Sequence, residues 1–252
     1  MQDTNPGSAK FNEDSLLVVQ DQLQECPYLP DAVARMPLLW PQRLYDGETV
    51  DELFALGFRR SGAFVYRTHC PHCSACKPTR ISVADFQLRA SQRRVLKRGD
   101  RALTVRMGEP QTDEARVKLF NLHRNQRGLS KATDEVDLFG YQSFLVDTFC
   151  ETAELSVWDG KRLVAVAVTD LGRRSASAVY TYFDPDYARY SLGTYAIVKQ
   201  WEWCRQTERD YLYLGLYVAE NRHLNYKANY RPQERLLDGR WQVIGNGSSA
   251  PH

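Results

Sequence analysis

Several things are scarce in these 252 residues, and each scarcity excludes something. Long apolar runs are absent: the longest, 16–19 and 163–168, fall far short of the about 20 residues a membrane-crossing helix needs. Charge of one sign is absent too. Lys plus Arg number 33 and Asp plus Glu 31, for a net of +2, so a globally basic nucleic-acid binder is excluded and any such signal must be local. The opening M-Q-D-T-N-P-G-S-A-K lacks the basic and apolar regions of an export leader, which points to a soluble, cytoplasmic protein. No internal repeat or low-complexity tract appears. With 43% hydrophobic, 12% aromatic and 25% charged residues, the composition excludes disorder, collagen, coiled coil and a disulfide miniprotein.

What is present reads as mixed α/β. Residues 1–14 and 245–252 are polar and suggest mobile arms. Helical spacing of Val50, Leu53, Phe54 and Leu56 predicts a helix between Tyr45 and Phe58, capped by Thr49 and ended by Gly57. Alternating or β-branched residues predict strands at 63–67 and 79–84. From Arg89 to Arg106 there are seven bases against one acid, Asp100. Gly108 and Pro110 then break the chain, so a boundary falls near 100–108 and divides it into 1–104 and 105–252. The second half predicts helices at 113–126 and 139–149, then strands at 154–157, 163–169 and 176–183. The middle strand is apolar on both faces and therefore central. A helix at 192–206, a strand at 211–218 and a last helix near Leu224 complete the order.

Six cysteines occur, and three of them form Cys70-Pro-His-Cys73-Ser-Ala-Cys76. Thiolates at this spacing point inward from a turn and suit zinc or an iron–sulfur cluster, which usually takes four ligands. Cys26, in Cys26-Pro27-Tyr28, is the natural fourth, with His69 and His72 in reserve. The plain alternative is a turn packed with unmetallated small residues. Cys150 and Cys204 fall in helical patterns and read as core.

Arg93-Arg94 and Lys97-Arg98 recur at four-residue spacing, so on a helix they share one face. That face suits a phosphate backbone, or is simply a solvated surface. Arg189-Tyr190-Ser191-Leu192-Gly193-Thr194, between an aromatic strand and a helix, resembles the R-x-x-G-x-G/A turn of acetyltransferase-like (GNAT) folds. There, backbone N–H groups at a helix start hold an anionic donor. Ser191 stands where that cradle has its first glycine.

Taken together, three segments resemble one family. They are Cys26-Pro-Tyr-Leu-Pro; the stretch from Gly57 (GFRRSGAFVYRTHCPHCSACKPTRI) running on to SQRRVLKR from Ser91; and SLGTY from Ser191 with YLYLGLY from Tyr211 and NYKANYRP from Asn225. In this order they are similar to the bacterial aspartate/glutamate leucyltransferases, relatives of the arginyl-tRNA–protein transferases. The resemblance implies a small cysteine-bearing N-terminal domain and a GNAT-like acyltransferase C-terminal domain. It implies transfer of leucine from leucyl-tRNA to proteins with N-terminal Asp or Glu, marking them for degradation. Arginyl transferases carry C-x-x-C where this chain has Cys26-Pro-Tyr-Leu29, so their metal or cluster ligands do not transfer one for one.

Such a reaction needs no cofactor, because the aminoacyl ester is already activated. It asks for positioning, oxyanion stabilisation and movement of a proton to the leaving ribose oxygen. Backbone N–H groups near 180–183 and 214–218 are expected to hold the carbonyl, with Tyr190 or Tyr226 near the leaving oxygen. The tRNA is expected on Arg93, Arg94, Lys97, Arg98, Arg189, Ser191 and Gly193. The acidic acceptor residue needs a cation, from Arg59, Arg60, Lys77 and Arg80, then Lys227 and Arg231. The metal, if any, belongs to Cys26, Cys70, Cys73 and Cys76. Rival readings are an arginyl-tRNA donor, a coenzyme A-dependent acetyltransferase, and a zinc-containing RNA-binding module without transfer activity.

Overall fold

A computed structural model describes residue 11 and residues 16–128 and 134–245; the two expected arms lie almost wholly outside these residues. The first half begins with strands β1 (Leu16–Gln20), β2 (Leu23–Glu25), β3 (Val33–Arg35) and β4 (Leu38–Pro41), none of which the sequence pattern announced. Helix α1 (Gly47–Ala55) follows, then β5 (Arg59–Ser61), β6 (Phe64–Tyr66) and β7 (Lys77–Ser82). The α1 cap is Asp46 and not Thr49: the Asp46 carboxylate accepts from the Thr49 N–H at 2.8 Å. Gly57 ends the turn at φ +84°. Helix α1 buries Val50, Leu53 and Phe54 against Phe58 and Val65, under a small antiparallel sheet ordered β1-β4-β6-β5.

The basic stretch folds as α2 (Ala90–Ala102), followed by β8 (Thr104–Gly108) and α3 (Glu114–Gln126). The expected helix over 139–149 is instead a short α4 (Leu138–Tyr141) that passes into a π-turn at Gln142–Val146. It stops because later carbonyls serve tertiary partners: those of Leu145 and Asp147 accept from Arg60, and that of Phe149 from the Tyr45 N–H. Strands β9 (Thr152–Asp159), β10 (Arg162–Leu171) and β11 (Ser175–Phe183), helix α5 (Leu192–Gln206) and β12 (Tyr211–Tyr217) match the sequence pattern. The last helix is a single 3₁₀ turn, Asn225–Asn229. A hairpin, β13 (Gln233–Leu237) and β14 (Arg240–Ile244), closes the chain. Its two-residue turn, Asp238-Gly239, has φ of +50° and +73°, as a primed turn requires.

The large sheet has eight strands, ordered β14-β13-β7-β12-β11-β10-β9-β8. The fold is thus mixed α/β, with the acyltransferase-like sheet expected. Its strand β7 comes from before residue 104, the expected boundary. Strand β10 is buried almost throughout. Val166 and Val168 pack with Leu119 and Phe120 of α3 on one face, and Ala165 and Ala167 with Tyr195 and Ala196 of α5 on the other. The two sheets are tied by Arg60 and Asp170, 2.9 Å apart with both side chains 1% exposed. Cys150 and Cys204 are buried, as core cysteines should be. Among the described residues no helix is long and apolar enough to cross a membrane.

Candidate active site

Strands β11 and β12 run parallel but pair only over Ser175–Ser177 with Tyr211–Tyr213. Beyond that, β11 follows β10 to Phe183, while β12 turns to β7 and ends with Tyr217 opposite Lys77. The strands part at their carboxyl ends, where α/β sheets commonly bind ligands. A cavity of about 860 Å³ fills the gap. Residues 191–194, the start of α5, form part of its wall, and the first N–H groups of a helix have no helical acceptor.

Ser191 itself is left-handed, at φ +51° and ψ +53°. Left-handed backbone favours glycine, and serine holds it at a cost of about 1–2 kcal/mol. Gly193 faces Phe183, where an added Cβ would stand 3.1 Å from the ring; its smallness serves that packing as well as the cavity.

The cavity's electrostatics are one-sided. Arg59, Arg60, Arg127, Arg222 and Lys227 line it, and among the described lining residues none is Asp or Glu. Arg59 is the most exceptional. Its Nε and Nη1 are buried with no hydrogen-bond partner, and its guanidinium lies over Gly215, which has φ +93°. A Cβ there would stand 2.3 Å from Nη1. Gly215 also falls at the irregularity in the β12–β7 register, so the backbone is bent where the arginine needs room.

Other lining groups gave no sequence signal. His123, on α3, is 4% exposed and sits with Nδ1 3.1 Å from the Phe183 carbonyl and 3.2 Å from its N–H. Burial, with Arg127 nearby, pushes it down to about 4, so it is neutral near pH 7. Tyr28 and Tyr66 share a hydrogen bond and border the cavity. Asn221 Nδ2 donates to the Tyr28 carbonyl at 2.8 Å, joining the two halves of the wall. These residues lie in unrelated stretches of sequence, and only the fold assembles them.

The expected site residues divide sharply. Tyr226 lines the cavity and is 41% exposed. Tyr190 does not: it is buried in the core, 6.0 Å centre to centre from Tyr187. Arg189 lies outside the cavity too, with its side chain over Tyr190. Arg60 borders the cavity, but its nitrogens are engaged by Asp170, Gly62, Asp147 and Leu145. Arg80 is away from the cavity. It is bound to Glu234 at 2.7 Å and to the Tyr213 hydroxyl, and sits over the Tyr211 ring. Lys77 is on β7 opposite Tyr217, and Arg231 donates to the Ala228 and Gly245 carbonyls. Arg93, Arg94, Lys97 and Arg98 are exposed on α2, outside the cavity. Arg98 donates to the Arg189 carbonyl, so this basic face adjoins the turn at Pro185–Tyr190 that leads into α5.

Pro27 and Tyr28, next to Cys26 in sequence, line the cavity, and among its described lining residues none is cysteine. Burial and the neighbouring thiols of Cys26, Cys70 and Cys73 push Cys76 up to about 12. The donor set is right in kind for zinc or a cluster. Even so, among the described residues no group of three or more His, Cys, Asp or Glu is set to hold a metal ion.

A mixed sheet parted between two parallel strands, with a helix start facing the gap, is the architecture of acyltransferase-like folds. Residues 24–94 match the family described as arginine-tRNA-protein transferase, N terminus, and residues 115–237 its C terminus. The aspartate/glutamate leucyltransferase of Acinetobacter baumannii (strain AYE) is 38% identical over 226 residues, covering 89% of this chain and 83% of that protein. That of Methylobacillus flagellatus is also 38% identical, covering 87% of this chain and 88% of that one. Among solved structures, L-PGS from Bacillus licheniformis overlaps 70% of this chain and 62% of its own, at 12% identity and a TM-score of 0.46. The chain belongs to the arginine-tRNA-protein transferase family.

Proposed function

We infer that this protein is an aminoacyltransferase that moves leucine from leucyl-tRNA to the α-amine of proteins beginning with Asp or Glu, marking them for degradation in the cytoplasm. The observation that carries the reading is the cavity between β11 and β12. It is large enough for an aminoacyl end and an acceptor residue together, and it is lined by cations with no carboxylate among its described residues. Membership of the family, with relatives named aspartate/glutamate leucyltransferase, supports leucine as the group transferred.

In this reading the aminoacyl end enters along the start of α5, where the free N–H groups of 192–194 face its polar atoms. The exposed face of α2, with Arg93, Arg94, Lys97 and Arg98, takes the tRNA backbone, and Ser191 and Gly193 shape the entrance. The side-chain carboxylate of the acceptor pairs with Arg59, the cation whose buried nitrogens lack partners. Tyr226 stands near the leaving ribose oxygen. The ester carries its own activation, so the chemistry needs no cofactor. The thiols of Cys26, Cys70, Cys73 and Cys76 are of the kind that binds zinc or a cluster, and no step of the transfer runs through them.

The test is a transfer assay with radiolabelled leucyl-tRNA or arginyl-tRNA and peptides beginning with Asp, Glu, Lys or Ala. Leucine is expected on Asp and Glu peptides alone. Arginine in its place would change the donor and keep the class. tRNA binding without transfer would overturn the enzyme reading in favour of an RNA-binding module.

A further inference from the structure

Lys227 is a second cavity cation, of a different kind from Arg59. It lies in the 3₁₀ turn Asn225–Asn229, lines the cavity and is 4% exposed. Its Nζ stands 4.7 Å from the centre of the Tyr226 ring, and Gln233 Nε2 donates to its carbonyl at 2.7 Å. The residue is therefore fixed at both ends. Lys118 and Lys199 each face a carboxylate; among the described residues, no carboxylate is within ion-pair distance of Lys227. The charge it does meet is that of Arg59. A buried amine beside a permanent cation, without an anion, readily gives up its proton. Burial and Arg59 push it down to about 7.

The other groups around the cavity do not compete for this role. His123 Nδ1 is engaged by the Phe183 backbone, and His223 Nε2 by the Arg222 Nε at 3.3 Å. Arg59, Arg127 and Arg222 are permanent cations. Burial pushes the phenols of Tyr28, Tyr180, Tyr226 and Tyr230 up, while Tyr66 contributes only a further hydroxyl. Yet the acceptor arrives largely as –NH₃⁺, since an α-amine has a pKa near 7.7–8.0, and a protonated amine has no lone pair with which to attack.

Building on the transfer reading, we propose that Lys227 is the catalytic proton acceptor for the acceptor's α-ammonium, and that the carboxylate paired with Arg59 primes it. Offsetting the charge of Arg59 raises the proton affinity of the amine beside it, so an acidic first residue both binds and switches on the base. Lys227 Nζ takes one proton from –NH₃⁺. The freed lone pair forms the C–N bond to the leucyl carbonyl carbon, and the C–O bond to the ribose breaks. The ribose oxygen leaves with a second amine proton, the third stays on the amide, and Lys227 returns its proton to water.

The test measures kcat and KM for leucine transfer to an Asp-started peptide at pH 6.5 and 8.5, corrected for ester hydrolysis, with the wild type, Lys227→Met and Lys227→Arg. Lys227→Met is expected to lower kcat about 10-fold at pH 6.5, where only about 5% of the peptide amine is free base, with KM little changed. The deficit should shrink at pH 8.5, where the peptide amine is already deprotonated. Lys227→Arg should fail alike, because guanidinium accepts no proton. Lys227→Met should also melt at a higher temperature than the wild type, since it removes a buried unpaired amine, which separates lost chemistry from lost folding. A change in KM that Lys227→Arg rescues would make Lys227 a carboxylate binder and overturn the proposal, as would a kcat deficit equal at both pH values. A wild type that transfers no leucine would overturn the transfer reading itself.

Discussion

Arg59 and Arg60 are consecutive on β5 and both border the cavity, yet only Arg60 has its nitrogens engaged by the seam between the two sheets. In the seam and the scaffold around it, three buried cations are matched, Arg60 with Asp170 at 2.9 Å, Arg116 with Glu154 at 2.5 Å and Arg80 with Glu234 at 2.7 Å, whereas Arg235, also outside the cavity, rests on the Tyr217 ring and Gln233 with one buried nitrogen unpartnered. In the cavity, among the described residues, Arg59 has buried nitrogens without partners and Lys227 has no carboxylate at ion-pair distance. Alternation explains the split, because successive residues of a strand face opposite sides. The lesson concerns what a buried charge is for. Where the chain supplies the counter-charge, the group holds the fold; where it does not and the group borders the cavity, a ligand can complete the site.

The largest effect should come from breaking the matched side. Arg60→Met leaves Asp170 buried without its partner, and is expected to destabilise the fold by about 3–5 kcal/mol in urea unfolding. A loss below about 1 kcal/mol would mean that the seam is as loosely coupled as an exposed ion pair. Acid should act nearly as strongly through His123. Its folded value, about 4, lies below the ordinary 6.5, so the unfolded chain binds the extra proton between those values. The stability it contributes is complete above pH 6.5 and is lost as pH falls towards 4, in total roughly 3 kcal/mol. His123→Gln should remove that part of the acid dependence, seen as a shallower fall of melting temperature with pH.

On the unmatched side, Arg59→Gln is expected to lower kcat/KM for Asp- and Glu-started peptides about 100-fold, close to 2.7 kcal/mol, with the stability of the free protein intact or improved. Asn-started peptides should lose far less. Equal losses for both would take the carboxylate away from Arg59. The smallest effect should be at Ser191. Ser191→Gly relieves the left-handed strain and should raise stability by about 1 kcal/mol; a fall in stability would show that the hydroxyl contributes more than the strain costs.

The α5 boundaries, the apolar centre of β10 and the order of the C-terminal elements were legible because each rests on a strong local period. The first four strands were not: they are short, and their side chains are mostly exposed, so no alternation marks them. The β13–β14 hairpin does carry a signal, the Asp238-Gly239 pair. Among the candidate site residues, Tyr226, Lys227, Arg59, Arg60, Ser191 and Gly193 line the cavity. Tyr190 and Arg80, equally plausible as letters, turn out to be packed or paired elsewhere.

The sequence by itself determined the family, the mixed α/β order, the thiol cluster and the basic face of α2, since each is written in contiguous residues at short spacing. Tertiary structure alone decided which cations are matched. That depends on the parting of β11 and β12 and on Asp170, Glu154 and Glu234 arriving from distant strands, and a charge carries no mark in the sequence of whether its counter-ion will be there.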